Sequence, residues 1–179
     1  MPEIEIRPAT AADLPVLVNF DPNYISDYVW QMEISAEDQQ IGVNFREIRL
    51  PRSVRVEYPR PISKLADEFT QYSGLLVALL AAEPVAFAGL RLGVAPLTAW
   101  VSDLVVTRRM RRQGIGSALV LAAEEWGLQH DCRNIVLEMQ TKNYAAIHMA
   151  QKLGFDFCGY NDRYYANHDI GLFFGKSLR

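Results

Sequence analysis

The stretch that decides the fold is "DLVVTRRMRRQGIGSALVLAAEEW", residues 103–126. Its apolar start, Leu104, Val105 and Val106, reads as the end of a buried strand. Four arginines follow within five positions, at 108, 109, 111 and 112. Gly114 and Gly116 come next. Ile115, Ala118, Leu119, Ala122 and Trp126 then share one stripe of a core-facing helix. A helix N-terminus carries unpaired N–H groups and partial positive charge, so it attracts anions. Two glycines without Cβ atoms let a phosphate approach the backbone. Arg111 and Arg112 can add charge-assisted hydrogen bonds. The corner therefore reads as a pyrophosphate cradle. It is not a nucleotide P-loop, because no Lys-Ser or Lys-Thr pair follows. It is not the dinucleotide fingerprint either, because the third glycine position holds Leu119.

Working outward, "RNIVLEM" at 133–139 is a strand, and Asn143 can cap a helix that Gly154 ends. Alternation in the tail predicts two final strands. Upstream, 98–107 is a strand, and 75–81 with 85–93 form a hairpin turning at Ala82–Glu83. Residues 3–8 alternate as a strand. Thr10 reads as an N-cap, with Asp13 at the capping-box offset, of a helix towards Phe20. Between 24 and 59 the period is two, and 28–34, 41–50 and 52–59 read as three antiparallel strands. A helix is predicted over 62–71. The order is mixed α/β, with a strand–helix–strand–helix unit in the second half.

The chain has 179 residues, half of them apolar and 22% charged, which suits one domain over 1–179 with its own core. The net charge of −3 makes the arginine cluster local and argues against a nucleic-acid partner. The N-terminus is charged, and Glu83 and Pro84 break the longest apolar stretch, so no signal peptide, membrane anchor or membrane partner is expected. Cys132 and Cys158 form no framework and fit a reducing cytoplasm. His130, His148 and His168 show no ligand spacing, so no metal is expected.

The corner resembles the acyl-CoA-binding motif of the GNAT superfamily of N-acetyltransferases: Arg or Gln, two residues, Gly, any residue, then Gly or Ala. Arg111, Gly114 and Gly116 fill it. A second block, "NYAAIHMAQKLGF" at 143–155, resembles that family's later motif through Asn143, Gly154 and Phe155. The tail, with Leu137, Glu138, Gln140 and the run Tyr165-Ala166-Asn167, is similar to streptothricin acetyltransferases and their relatives. The resemblance implies a GNAT-like mixed, mostly antiparallel sheet flanked by helices, with 24–59 as a β-rich insertion in the N-terminal half. It implies acetyl-CoA as co-substrate. The strand residues Leu104, Val105 and Val106 would lend backbone groups to the pantetheine arm. Arg111, Arg112, Gln113, Gly114, Ile115, Gly116 and Ser117 would hold the pyrophosphate, with Asn143 beside the cofactor.

An alkylamine with pKa near 10.4 is almost wholly protonated at pH 7, and freeing its lone pair costs about 4.6 kcal/mol. A carboxylate in reach can take that proton. Glu138 leads the candidates: it alternates with Ile135, Leu137 and Met139 and shares a strand face with Gln140. Its competing role is a structural pair. Asp103 is second, since a charge inside "WVSDLVV" is costly unless satisfied. Asp169 is third. Relatives of the streptothricin type tend to be acidic one position before Asp103, where this chain has Ser102. Family members often carry a Tyr four residues before the second-block glycine, where it protonates the thiolate. Here that residue is Ala150, and Tyr165 is the substitute we rank first.

The acceptor is expected to lie against the N-terminal half. Asp27, Tyr28, Trp30 and Glu33 could cage a cationic amine, since ring faces attract ammonium groups. The same rings could equally fill a satellite core, and the same strands could pair two copies into a homodimer. The resulting expectation is an N-acetyltransferase acting on a small-molecule cationic amine. A protein N-terminal or lysine acetyltransferase and a non-catalytic acyl-CoA-binding module are the competing readings.

Overall fold

The structure, a computed structural model, describes residues 2–179. In chain order the elements are β1 (Glu5–Pro8), α1 (Leu14–Leu17), β2 (Tyr24–Glu37), β3 (Gln40–Val56), α2 (Leu65–Glu68), β4 (Gly74–Leu80) and β5 (Glu83–Arg91). Then follow β6 (Thr98–Val106), α3 (Ile115–Gln129), β7 (Asn134–Gln140), α4 (Tyr144–Lys152), β8 (Asp156–Asn161) and β9 (Gly171–Ser177). Seven strands form one sheet in the order β1-β4-β5-β6-β7-β9-β8, and β2 pairs with β3 as a separate ribbon. The β6–β7 pair is parallel because α3 carries the chain back across the sheet, and the other pairs are antiparallel.

Alternation on the central strands sorts their side chains into two layers. Leu76 and Ala78 of β4 join Ile115, Leu119, Val120, Ala123 and Trp126 of α3, with Ile147 and Ala150 of α4, on one face. Leu75, Val77 and Leu79 point the other way, onto Leu14, Leu17 and Leu65 from α1 and α2. The buried stripe of α3 runs through Val120 and Ala123, a small rotation from the Ala118–Ala122 line expected.

The ribbon differs from the three strands read in the sequence. Residues 40–56 form one strand, and the pairing jumps from Ser26–Val54 to Tyr28–Arg49 across a bulge that holds Pro51. A proline lacks the N–H that a ladder needs, so it sits in the bulge and the strand continues past it. The ribbon lies on the domain through Phe45, whose ring centroid is 5.5 Å from that of Phe157 and 5.3 Å from that of Tyr160. The backbone N–H of Trp30 donates to the carbonyl of Thr141 at 2.9 Å.

Two local details also correct the reading. The β4–β5 turn is Ala81–Ala82, both at positive φ (49° and 68°), one residue earlier than expected. The first helix is the single turn Leu14–Leu17 with Asp13 as its N-cap, and the Thr10 N–H donates to Asp13 Oδ2 at 2.7 Å. The 62–71 segment is α-helical only over Leu65–Glu68, with 3-10 turns on either side.

Candidate active site

The parallel pairing of β6 and β7 covers only Thr98–Val101 against Asn134–Leu137. Beyond it the strands part. β6 runs on to Val106 bonded only to β5, and β7 runs to Gln140 bonded only to β9. A bulge marks the parting: Gly89 pairs with Asp103 and Leu90 with Val101, so Ser102 is the extra residue. Val105 is hydrogen-bonded to Phe87 of β5, so it is Leu104 and Val106 that turn backbone groups towards the gap. Arg111 takes the Val106 carbonyl, and the rest have no strand partner and are open to an amide-bearing ligand.

The cradle stands at the wide end of this fork. Met110 is buried and anchors the turn, and Gly114 takes the left-handed conformation (φ 84°) that lets the chain enter α3. Arg112 is also left-handed, at φ 64°. No side chain caps α3, and its ladder opens with Ala118 N–H to Gly114 O at 3.0 Å. The preceding N–H groups, of Ile115, Gly116 and Ser117, are left for an anion. A Cβ on Gly116 would stand 3.4 Å from Met149 Sδ, an ordinary contact, so α3 runs beside α4 here.

Arg111 is placed differently from a free phosphate ligand. Its guanidinium donates to three backbone carbonyls: Val106 at 2.9 Å, Asn23 at 2.8 Å and Asp21 at 2.7 Å. Burial lowers its pKa from the ordinary arginine value. Gln113 donates to Arg109 O at 3.3 Å, while Arg112 and Gln113 are exposed. Asn143 caps α4, accepting from Ala146 N–H at 3.3 Å.

At the narrow end lies a cavity of about 50 Å³ lined by Arg60, Ser102, Leu104, Glu138, Asn143 and Tyr165, among others. The Glu138 side chain has no exposed surface. It accepts from Trp100 Nε1 at 2.7 Å, from Tyr164 OH and from Arg60 Nη2. Its Oε2 is thus filled by two donors, and Oε1 keeps one acceptor direction. Tyr165 is buried, with its ring 5.3 Å from the Arg60 guanidinium, and its hydroxyl has no hydrogen-bond partner among the described residues. Burial first, and then the Glu138 charge, raise the Tyr165 pKa far above the ordinary tyrosine value, so the phenol stays protonated.

Asp103 lies behind the cavity wall. It accepts from Tyr58 OH, from Tyr72 OH at 2.8 Å and from Ser102 Oγ at 3.0 Å. Gly89 makes room for this arrangement, since a Cβ there would meet the Tyr72 ring at 2.5 Å. Asp169 is also engaged, accepting from Gln140 Nε2 at 2.8 Å and Asn167 Nδ2 at 3.0 Å. Ala150 is enclosed in the core, and α4 faces the cavity through Ala146 and Met149 instead.

The amine cage is not assembled. Tyr28 stacks on Tyr144 with centroids 4.4 Å apart, and Trp30 packs against the main core. Asp27 accepts from Ser53 Oγ, and Glu33 pairs with Arg46 at 3.3 Å on the solvent side. None of the four lines the cavity. Arg60, absent from the sequence reading, is central to it. Its Nη1 donates to Ser102 O at 2.7 Å and stands 3.7 Å from Asp103 Oδ1. Burial opposes its charge, but the carboxylates of Asp103 and Glu138 outweigh that and raise its pKa.

A forked sheet, a bare helix N-terminus and a cavity with a carboxylate and a phenol fit the needs of an acyl-CoA-dependent transferase. Residues 43–155 match the model of the acetyltransferase (GNAT) family, and the chain belongs to that family. It is an acetyl-CoA-dependent N-acetyltransferase, and the fork with its free amides fits acetyl-CoA. The fold is similar to that of nourseothricin acetyltransferase (20% identity, 98% of this chain and 99% of that one, TM-score 0.81). It is also similar to a protein of Bacillus anthracis str. Ames assigned as a streptothricin acetyltransferase and solved with acetyl coenzyme A (20% identity, 98% and 99% covered, TM-score 0.75). Ard1 from Thermoplasma volcanium shares the fold at 18% identity, with 98% of each chain covered and a TM-score of 0.66. No curated protein sequence matches the chain. Among the described residues no helix is long and apolar enough to cross a membrane, and no cluster of His, Cys, Asp or Glu could hold a metal ion.

Proposed function

We propose that the protein acetylates a primary amine of a small cationic acceptor by direct attack. One observation carries this reading: the fork closes on a small cavity that contains Glu138 and Tyr165 and is walled by Tyr58, Pro59 and Arg60. Such a wall supports a compact acceptor over an extended peptide. The near full-length likeness to acetyltransferases whose names specify nourseothricin and streptothricin supports the same acceptor class.

Acetyl-CoA supplies the thioester carbon that the amine attacks and the thiolate that leaves. The amides of Ile115, Gly116 and Ser117, with Arg112, hold its pyrophosphate, while the Leu104 backbone and the Val106 N–H face its arm and Val105 stays paired to β5. Glu138 receives the ammonium proton at the open position of Oε1, directly or through one water. Tyr165 donates its phenolic hydrogen towards the departing sulfur. Asp103 holds Tyr58 and Tyr72 in place by accepting from both hydroxyls.

The test is thiol release from acetyl-CoA against streptothricin, polyamines, free lysine and peptides with free N-termini. Turnover is expected with the small polycations, and Glu138→Gln is expected to lower kcat about 100-fold. Turnover confined to peptides would favour a protein-modifying enzyme. Silence with every amine overturns the proposal.

A further inference from the structure

We infer that Arg60 is a positioning residue for acetyl transfer, one that sets the opening between β6 and β7 and holds Glu138 and Tyr165 around the reacting centre. The inference rests on the cavity being the place of transfer.

Once the strands part beyond Val101 and Leu137, backbone hydrogen bonds no longer fix their separation. Arg60 spans the gap. One arm of its guanidinium holds the carbonyl of the bulge residue Ser102, and the other holds Glu138 on β7. The bulge frees that carbonyl from the ladder, so the guanidinium both satisfies it and anchors β6. A planar guanidinium fixes both acceptors at a set distance and angle, which a lysine ammonium cannot do. The Arg60 guanidinium also stands 3.7 Å from Asp103 Oδ1, and its central carbon lies 5.3 Å from the centre of the Tyr165 ring. One side chain therefore touches β6, β7 and both cavity groups assigned to proton transfer.

The segment that carries Arg60 is itself held in place. Pro59 and Pro61 flank it. The Tyr58 N–H donates to Asn23 Oδ1 at 2.8 Å, and Gln140 Nε2 donates to Glu57 O at 3.2 Å. The Arg60 side chain is 30% exposed beside carboxylates at 4% and 0%, so it is the accessible member of the triad. It makes no contact with the amides of α3. Its loss should then act on the transfer step and leave acetyl-CoA binding nearly intact.

The experiment measures thiol release with streptothricin as acceptor, alongside acceptor-free hydrolysis of acetyl-CoA, for the native chain, Arg60→Lys and Arg60→Gln. Thermal melts accompany each. Arg60→Lys is expected to lower kcat about 10- to 100-fold, the scale of a 1 Å misplacement. Its KM for acetyl-CoA should stay within about threefold of the native value. Arg60→Gln leaves Glu138 without its cation and breaks the two-armed hold on β6, and should lower kcat further than Arg60→Lys, again with KM for acetyl-CoA near native. Native kcat in Arg60→Lys overturns the inference. So does a rate loss that merely follows loss of folded protein, or a Lys variant that does not fold. A native enzyme that hydrolyses acetyl-CoA but acetylates no amine overturns the acceptor reading alone, because the hydrolysis rates still test Arg60. Absence of both reactions overturns the two together.

Discussion

The guanidinium of Arg111 donates to the carbonyl of Asn23, 2.8 Å away and 88 residues earlier in the chain. The arginine that completes the cofactor motif thus ties the start of the ribbon to the end of β6, through Asn23, Asp21 and Val106. The proposed phosphate binding then rests on the α3 amides and on residues without such commitments. Arg111→Met should destabilise the fold by about 1–2 kcal/mol, since it leaves three carbonyls unpartnered at a partly exposed site. A drop in urea midpoint with an unchanged slope, together with a modest rise in KM for acetyl-CoA, is the expected outcome. A large loss of cofactor affinity without loss of stability would return Arg111 to the phosphate.

Ala81 and Ala82 occupy a two-residue hairpin turn with both φ values positive. L-residues with a Cβ pay for that geometry, whereas Asn and Gly adopt it readily. The double change Ala81→Asn, Ala82→Gly should raise stability by about 1 kcal/mol and leave kcat unchanged, because the turn is remote from the cavity-lining residues. Differential calorimetry would register this as a higher Tm. An unchanged or lower Tm would mean that the turn is not strained.

Asp13 accepts from Arg7 Nη1 and Nη2 at 2.8 and 2.9 Å, and also from the Thr10 N–H. The Arg7 hydrogen bond lowers its pKa from 3.8 to about 2, against the opposing effect of burial. A depressed folded-state pKa stabilises above the unfolded value and loses its effect as pH falls through the folded one. This contribution is therefore complete above about pH 4 and fades down to about pH 2. Asp13→Asn should be less stable at neutral pH and should show a shallower decline across that window. Equal slopes for the two proteins would mean that Asp13 is not the group responsible.

The corner and the start of α4 were legible because their signals are local. Gly114 needs a left-handed φ, and Asn143 accepts from an N–H three residues on, so each announces itself within one turn of sequence. Glu138 was legible by alternation along β7, and its three donors were not, because they come from Arg60, Trp100 and Tyr164. Arg60 had no local signature at all. Its acceptors lie 42 and 78 residues away, and the residue sits between two prolines that read as a simple exit. The cage over Asp27, Tyr28, Trp30 and Glu33 followed from composition, but adjacent strand residues face opposite ways, and packing claimed the rings. The Ala150 position illustrates the same limit: a tyrosine there would enter a closed core and overpack it.

Tyr165 offers the last test, since it lines the cavity and its hydroxyl has no hydrogen-bond partner among the described residues. A thiol of pKa near 8.5 leaves tolerably at neutral pH, so a hydrogen-bond donor at the sulfur gives moderate assistance. Tyr165→Phe keeps the ring on Arg60 and removes only the donor. Its kcat should fall about tenfold, with stability and KM for acetyl-CoA near native. Because burial keeps the phenol protonated, no limb of the rate–pH profile in the neutral range should disappear with it. Steady-state kinetics across pH 6–9 would check both statements. Unchanged kcat would reduce Tyr165 to a packing residue and leave the thiolate to take its proton from water.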